Sequence, residues 1–239
     1  MADDHPDPTT APSLLNQITT RWSIVDDPTQ LIVRYAPAVR KYLERLLKNS
    51  HDADEVSQEF VVRILDHKFA HASPERGRFR DYIKVAARNA ALQYLRKRQT
   101  RDKLQADLNW MADDNADEGA GDWLGEWRQC LVDKAWRLLE GHESRTPGNL
   151  GYTVLKLSTE NPQDSSDEMA ARLSKTLGRE LRADAFRKQL SRARRTFAQY
   201  LLEEIAATLK DPTPEMIKDE VTELGLLPYI QPYLPPEMA

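Results

Sequence analysis

Apolar residues recur along this chain at helical intervals, and no segment of consequence shows the alternation of a strand. Leu31, Tyr35, Val39, Leu43, Leu46 and Leu47 mark a first helix, with Pro37 either kinking it or opening a second piece. In DADEVSQEFVVRIL, Val56, Phe60 and Ile64 repeat at i, i+4, i+8, which leaves Asp54, Glu55, Gln58, Glu59 and Val62 mainly for other faces. Asp52 followed by Glu55 reads as an N-cap with its capping-box partner. In RFRDYIKVAARNAALQYLRKR the stripe is Phe79, Ile83, Ala86, Ala90 and Tyr94, and Lys84, Arg88, Arg96, Lys97 and Arg98 are left for solvent or a polyanion.

A second helical set begins near Trp123, where Leu124, Trp127, Leu131, Ala135 and Leu138 keep the spacing until Gly141. Residues 142–151 read as a loop and 152–157 as a short helix. Ser165 with Glu168 is a capping box that opens a helix with Ala170, Leu173 and Leu177 inward and Gly178 just past its end. The next helix, from about Ala183, is expected to bury Phe186, Leu190, Ala193, Phe197, Leu201 and Ile205. Beyond Lys210, Pro214 opens one short helix with Ile217, Val221 and Leu224 inward. Pro228, Pro232, Pro235 and Pro236 then break the tail into what reads as an extended strap, either structural or regulatory.

These patterns predict an all-α chain of two helical domains joined by an acidic flexible linker. The limits are 1–19 for a disordered N-terminal arm, 20–103 for the first domain and 104–122 for the linker, then 123–209 for the second domain and 210–239 for a C-terminal extension. Length agrees, since 239 residues hold two small cores. The net charge of -4 would argue against nucleic acid if it were evenly spread. It is segregated instead: between Arg76 and Lys103 ten basic residues face two acidic ones, a local charge of +8.

Chemistry narrows the function by exclusion. The single cysteine, Cys130, rules out an intramolecular disulfide and reads as a small buried hydrophobe rather than a reactive thiol. His5, His51, His67, His71 and His142 lack partners at metal-ligand spacing, and HExxH, GxxxxGK[ST] and GxSxG are all absent. The expectation is a protein that is not an enzyme and needs no metal and no cofactor. The N-terminus has acid and proline where a signal peptide needs a basic start and an apolar core, and no run approaches 18 apolar residues, so no membrane insertion and a cytoplasmic location are expected.

The order YAPAV, DADE, QEF, RGRF, ARN and YLRKR over roughly 35–101 closely resembles region 2 of the extracytoplasmic-function (ECF) sigma factors of bacterial RNA polymerase, within the sigma-70 family. Residues 20–30 look like the lead-in of a subgroup of that family. EMAARLSKTLGRELRADAFRKQLSRARRTF is similar to region 4, a helix-turn-helix, with Phe186-Arg187-Lys188-Gln189-Leu190 and Arg192-Ala193-Arg194 matching the recognition helix. Its turn is longer than is usual in the family, and the proline-led opening of the preceding helices is missing.

The resemblance implies a sigma factor that binds core RNA polymerase and directs promoter-specific transcription initiation. Asp52, Asp54, Glu55, Gln58 and Glu59 would dock on the clamp helices of the largest subunit, and the flap would be a further contact. Arg78, Arg80, Lys84, Arg88, Asn89, Gln93, Arg96 and Arg98 would lie at the minus-ten element, with residues 73–80 helping to capture a flipped base. Arg182, Arg187, Lys188, Arg192, Arg194 and Arg195 would lie at the minus-thirty-five element. Promoter DNA is the second partner, and an anti-sigma factor or other regulator is a third. The alternative left open is a free-standing helix-turn-helix transcription regulator. A helical adaptor whose basic surfaces bind an acidic protein is a third reading.

Overall fold

The computed structural model describes residues 28–66, 79–102, 123–209 and 212–238. The N-terminal arm, the linker 104–122, His67, His71 and Arg78 lie outside the described residues, as do the side chains of Leu31, Ile64 and Phe79. Among the described residues every regular element is helical: α1 (Pro28–Leu47), α2 (Ser50–Leu65), α3 (Phe79–Asp102), α4 (Trp123–Arg145), α5 (Gly151–Glu160), α6 (Ser166–Leu177), α7 (Ala183–Ala206), α8 (Pro214–Glu223) and α9 (Leu227–Ile230). Two 3-10 turns, Gln231–Tyr233 and Pro236–Met238, complete the C-terminal end.

The helices form for the reasons the pattern gives, with local corrections. α1 runs unbroken through Pro37, which sits on its exposed side. α2 begins ahead of the expected cap: Asn49, not Asp52, accepts the backbone N–H groups of His51 at 2.9 Å and Asp52 at 3.2 Å. α4 does not stop at Gly141 but continues to Arg145, so the expected loop is shorter. The extra turn has a use, because Glu143 caps the start of α5, accepting from Thr153 N–H at 2.9 Å and Thr153 Oγ1 at 2.5 Å. The capping box of α6 is present, and Gly178 closes that helix at φ 64°. Thr213 caps α8, with Pro214 in its first turn.

Two apolar clusters organise the chain. The smaller joins Leu139 of α4, Val154 and Leu155 of α5, Met169, Ala170 and Leu173 of α6, and Phe186, Leu190 and Ala193 of α7. The larger takes Tyr35 to Leu46 of α1, Ala53, Val56 and Phe60 of α2, and Ile83, Ala87, Ala90 and Ala91 of α3. It also takes Trp123, Trp127, Leu131 and Ala135 of α4 and the C-terminal half of α7. Trp127 is fully buried and stacks on Tyr35 with ring centroids 4.2 Å apart and planes 5° apart. The long helices α4 and α7 therefore belong to both clusters, one end in each.

The C-terminal extension finishes the larger cluster with Ile217, Val221, Leu224, Leu226, Ile230 and Met238. It is not the extended strap expected from its prolines. Pro228, Pro232 and Pro236 stand in the first positions of successive short turns, where a missing N–H is not needed, so the segment folds as α9 and two 3-10 turns, and Tyr229 is 75% exposed.

Candidate nucleic-acid interface

α2 and α3 pack side by side, and their facing rows are joined by opposite charges. Asp52 accepts from the Tyr94 hydroxyl at 2.8 Å and pairs with Arg98 at 2.5 Å; Glu55 accepts from Tyr94 at 3.2 Å; Glu59 lies 3.4 Å from Lys97. Burial first, and then these two carboxylates, push the Tyr94 phenol up to about 12. The five residues expected on one docking face are thus divided. The Asp52 side chain keeps only 14% of its exposure and is turned towards α3, whereas Asp54 and Gln58 point away from it. Asp54 pairs with Arg40 of α1 at 2.6 Å, which holds that guanidinium above its ordinary pKa chiefly through the hydrogen bond. Ser50, His51, Asp54, Glu55 and Gln58 line a shallow depression of about 440 Å³ on this outer side.

Along α3 the outward row is Val85, Asn89, Gln93, Arg96 and Lys97, all exposed, flanked by half-buried Lys84 and Arg88. Gln93 accepts a hydrogen bond from Arg63 of α2 at 2.8 Å. The buried stripe is Ile83, Ala87, Ala90 and Ala91, one position round from the expected Ala86. That rotation decides the fate of Arg80. Expected at the surface with the other minus-ten residues, Arg80 lies three positions before Ile83 on the inward side and is 2% exposed. Its guanidinium pairs with Glu220 and Glu223 of α8. In this conformation Arg80 is not available to a phosphate.

The second basic surface is on α7. Phe186, Leu190 and Ala193 anchor one side in the smaller cluster, and Arg182, Arg187, Lys188, Arg192, Arg194 and Arg195 are all exposed on the other. With about 100° between successive residues, positions 188, 192 and 195 fall roughly opposite 186, 190 and 193, and 187 and 194 lie on one flank of that buried stripe. The turn from α6 is latched by Ser174, whose hydroxyl accepts from Leu181 N–H at 2.8 Å and donates to the Ala170 carbonyl at 2.7 Å. That latch fixes a turn of five residues between Leu177 and Ala183 and so sets the angle at which α7 leaves α6. The pair is a helix-turn-helix whose second helix presents cations, and among the described residues they have no ion pair closer than Arg182 to Asp184 at 3.9 Å.

Val62, which the pattern of α2 leaves off its buried stripe, and Val85 are 54% and 56% exposed, apolar groups among polar neighbours on α2 and α3; the exposure of Val85 and one further feature escaped the sequence pattern. A groove of about 510 Å³ between α4 and α5 is lined by Trp136, Arg137, Tyr152, Lys156 and Glu160. Its sequence signal is Trp136, a large aromatic one position after the Ala135 core position. Among the described residues no group of His, Cys, Asp and Glu could hold a metal ion, and no helix is long and apolar enough to cross a membrane.

No curated protein and no solved structure matches the chain. Residues 31–101, the span of α1 to α3, match the family described as sigma-70 region 2.

Proposed function

We propose that the chain is a sigma factor of the extracytoplasmic-function type, which binds core RNA polymerase through α2 and reads promoter DNA with α3 and with α7. The match of residues 31–101 to sigma-70 region 2 carries this reading. The arrangement of charge supports the rest. The outward side of α2, with Asp54, Glu55 and Gln58, is open to a basic helical partner such as the clamp helices. Lys84, Arg88, Asn89, Gln93 and Arg96 of α3 offer cations and amides to the minus-ten element, and residues 73–80 would help to hold a flipped base. The exposed cations of α7 would meet the minus-thirty-five element in the major groove, where phosphate contacts supply affinity and the few side chains that reach base edges supply preference.

Such a protein performs no chemistry of its own; it selects where the polymerase starts. Run-off transcription with core polymerase and genomic fragments tests it. The expected result is discrete transcripts that require the chain and fall away when Lys188 and Arg192 are replaced by Ala. Transcription that starts equally well without the chain would overturn the reading. Binding of duplex DNA with no association to core polymerase would favour the free-standing regulator.

A further inference from the structure

The C-terminal segment does two things at once. Ile217, Val221 and Leu224 on one side of α8, with Leu226, Ile230 and Met238 after it, are buried in the larger cluster. Beside that apolar side, Glu220 and Glu223 close on Arg80 at the start of α3. The Glu220 side chain is 3% exposed and that of Arg80 2%, so both charges have left water. The far end of α8 is held as well: Arg128 of α4 donates to the Leu224 carbonyl at 3.1 Å, and Gly225, at φ 66°, turns the chain beside that guanidinium.

A buried ion pair gains little net stability, because desolvation cancels most of the attraction. Apolar burial therefore holds α8 in place, and the carboxylates add something else. They occupy the donors of an arginine that stands at the head of the most basic stretch of the chain, residues 76–103. A guanidinium engaged by two carboxylates cannot also make the bidentate contact by which arginine takes a phosphate. Carboxylate and phosphate are competing ligands for one group.

We propose that residues 212–238 form an internal clasp that withholds Arg80 from nucleic acid, with Glu220 and Glu223 standing where backbone phosphates would bind, and that a polyanion and the clasp exclude each other. The proposal rests on α3 being a nucleic-acid surface. It implies a reciprocal coupling: whatever loosens α8 strengthens nucleic-acid binding, and nucleic acid loosens α8 to the same degree. The full chain binds below its intrinsic affinity by the fraction of molecules in which the clasp is open.

The test uses the full chain and a fluorescent random-sequence oligonucleotide, single-stranded and duplex. Wild type is compared with Glu220→Gln/Glu223→Gln and with Glu215→Gln/Glu237→Gln, which removes two charges from exposed positions of the same segment. Opening the clasp is expected to tighten binding about tenfold beyond the charge-matched control and to steepen the salt dependence by about one unit, the phosphate contact of one arginine. In wild type, oligonucleotide should lower the hydrogen-exchange protection of α8, a readout that holds even where the Gln variant is poorly folded. A gain no larger than the control's, or α8 protection that is unchanged or raised by oligonucleotide, would overturn the clasp while leaving α3 a nucleic-acid surface. If no version of the chain binds nucleic acid, with or without core polymerase, the function and the clasp fall together.

Discussion

Replacing Trp127 by Ala tests whether the region-2 helices and the helix-turn-helix half share one core. Trp127 is fully buried, lies on α4, stacks on Tyr35 of α1 and has Trp123 at 5.6 Å between ring centroids. Truncation of a buried Trp to Ala typically costs about 3–5 kcal/mol, of which roughly 1 kcal/mol here is the stacked pair with Tyr35. For a cooperative unit of this size each kcal/mol lowers Tm by about 2–4 °C, so a fall of roughly 10–15 °C is expected. Hydrogen exchange localises the effect: amides of α1 and α2 and of the C-terminal half of α7 should lose protection together. A Tyr35→Leu/Trp127→Ala cycle should return a coupling of about 1 kcal/mol. If α1 and α2 keep wild-type protection while α4 alone loosens, the shared core is refuted and the chain is two independent halves.

Three further outcomes follow from the geometry. Lys188→Ala and Arg192→Ala, at exposed positions of α7, should leave Tm unchanged and each reduce the salt slope of promoter binding by about one, measured by anisotropy over a salt series; a slope equal to wild type would take α7 off the DNA. Glu168 is held below its ordinary value chiefly by hydrogen bonds from the Ser165 backbone and hydroxyl, so its stabilisation of α6 is complete above that value and is lost as acid titrates it through the lowered one. Ser165→Ala should flatten this acid dependence of helicity, and an unchanged profile would deny the capping box its role. Tyr94 has the opposite sign: its raised phenol favours the fold below the ordinary tyrosine value, and that advantage disappears as pH rises through about 12. The tyrosinate absorbance lost in Tyr94→Phe should therefore titrate near 12, and a component at the ordinary 10.0 would mean the contacts to Asp52 and Glu55 are not made.

The helices were legible because each carries a stripe at helical spacing and several carry their own caps, as Ser165 with Glu168 and Thr213 with Pro214 show. What periodicity cannot carry is which flank of a stripe meets a neighbour that is distant in sequence. Arg80 looks like any other arginine of the basic segment until α8, 140 residues later, closes over it. Asp52 reads as a cap because it precedes an apolar run, but Asn49 takes that place and frees Asp52 to bind Tyr94 and Arg98 across the helix pair. Gly141 reads as a stop, yet the turn beyond it survives because Glu143 is needed at the head of α5. The prolines of the tail correctly forbid one long helix; they do not forbid single turns, and packing of Leu226, Ile230 and Met238 selects those. The cations of α7 were legible one by one, since the stripe of Phe186, Leu190 and Ala193 leaves all of them off the buried side.

Docking of α2 on RNA polymerase is measured by titrating purified core enzyme with the wild-type chain and with Asp54→Lys/Glu55→Lys. Asp54 and its partner Arg40 are about half exposed, so the reversal removes an ion pair worth at most about 1 kcal/mol to the fold, and circular dichroism should be unchanged. A tight wild-type complex is expected, with an affinity that falls at least about tenfold in the variant, as losing paired interface charges commonly costs a few kcal/mol. A wild-type chain that does not bind the core enzyme would contradict it, and so would a variant that binds as tightly as wild type.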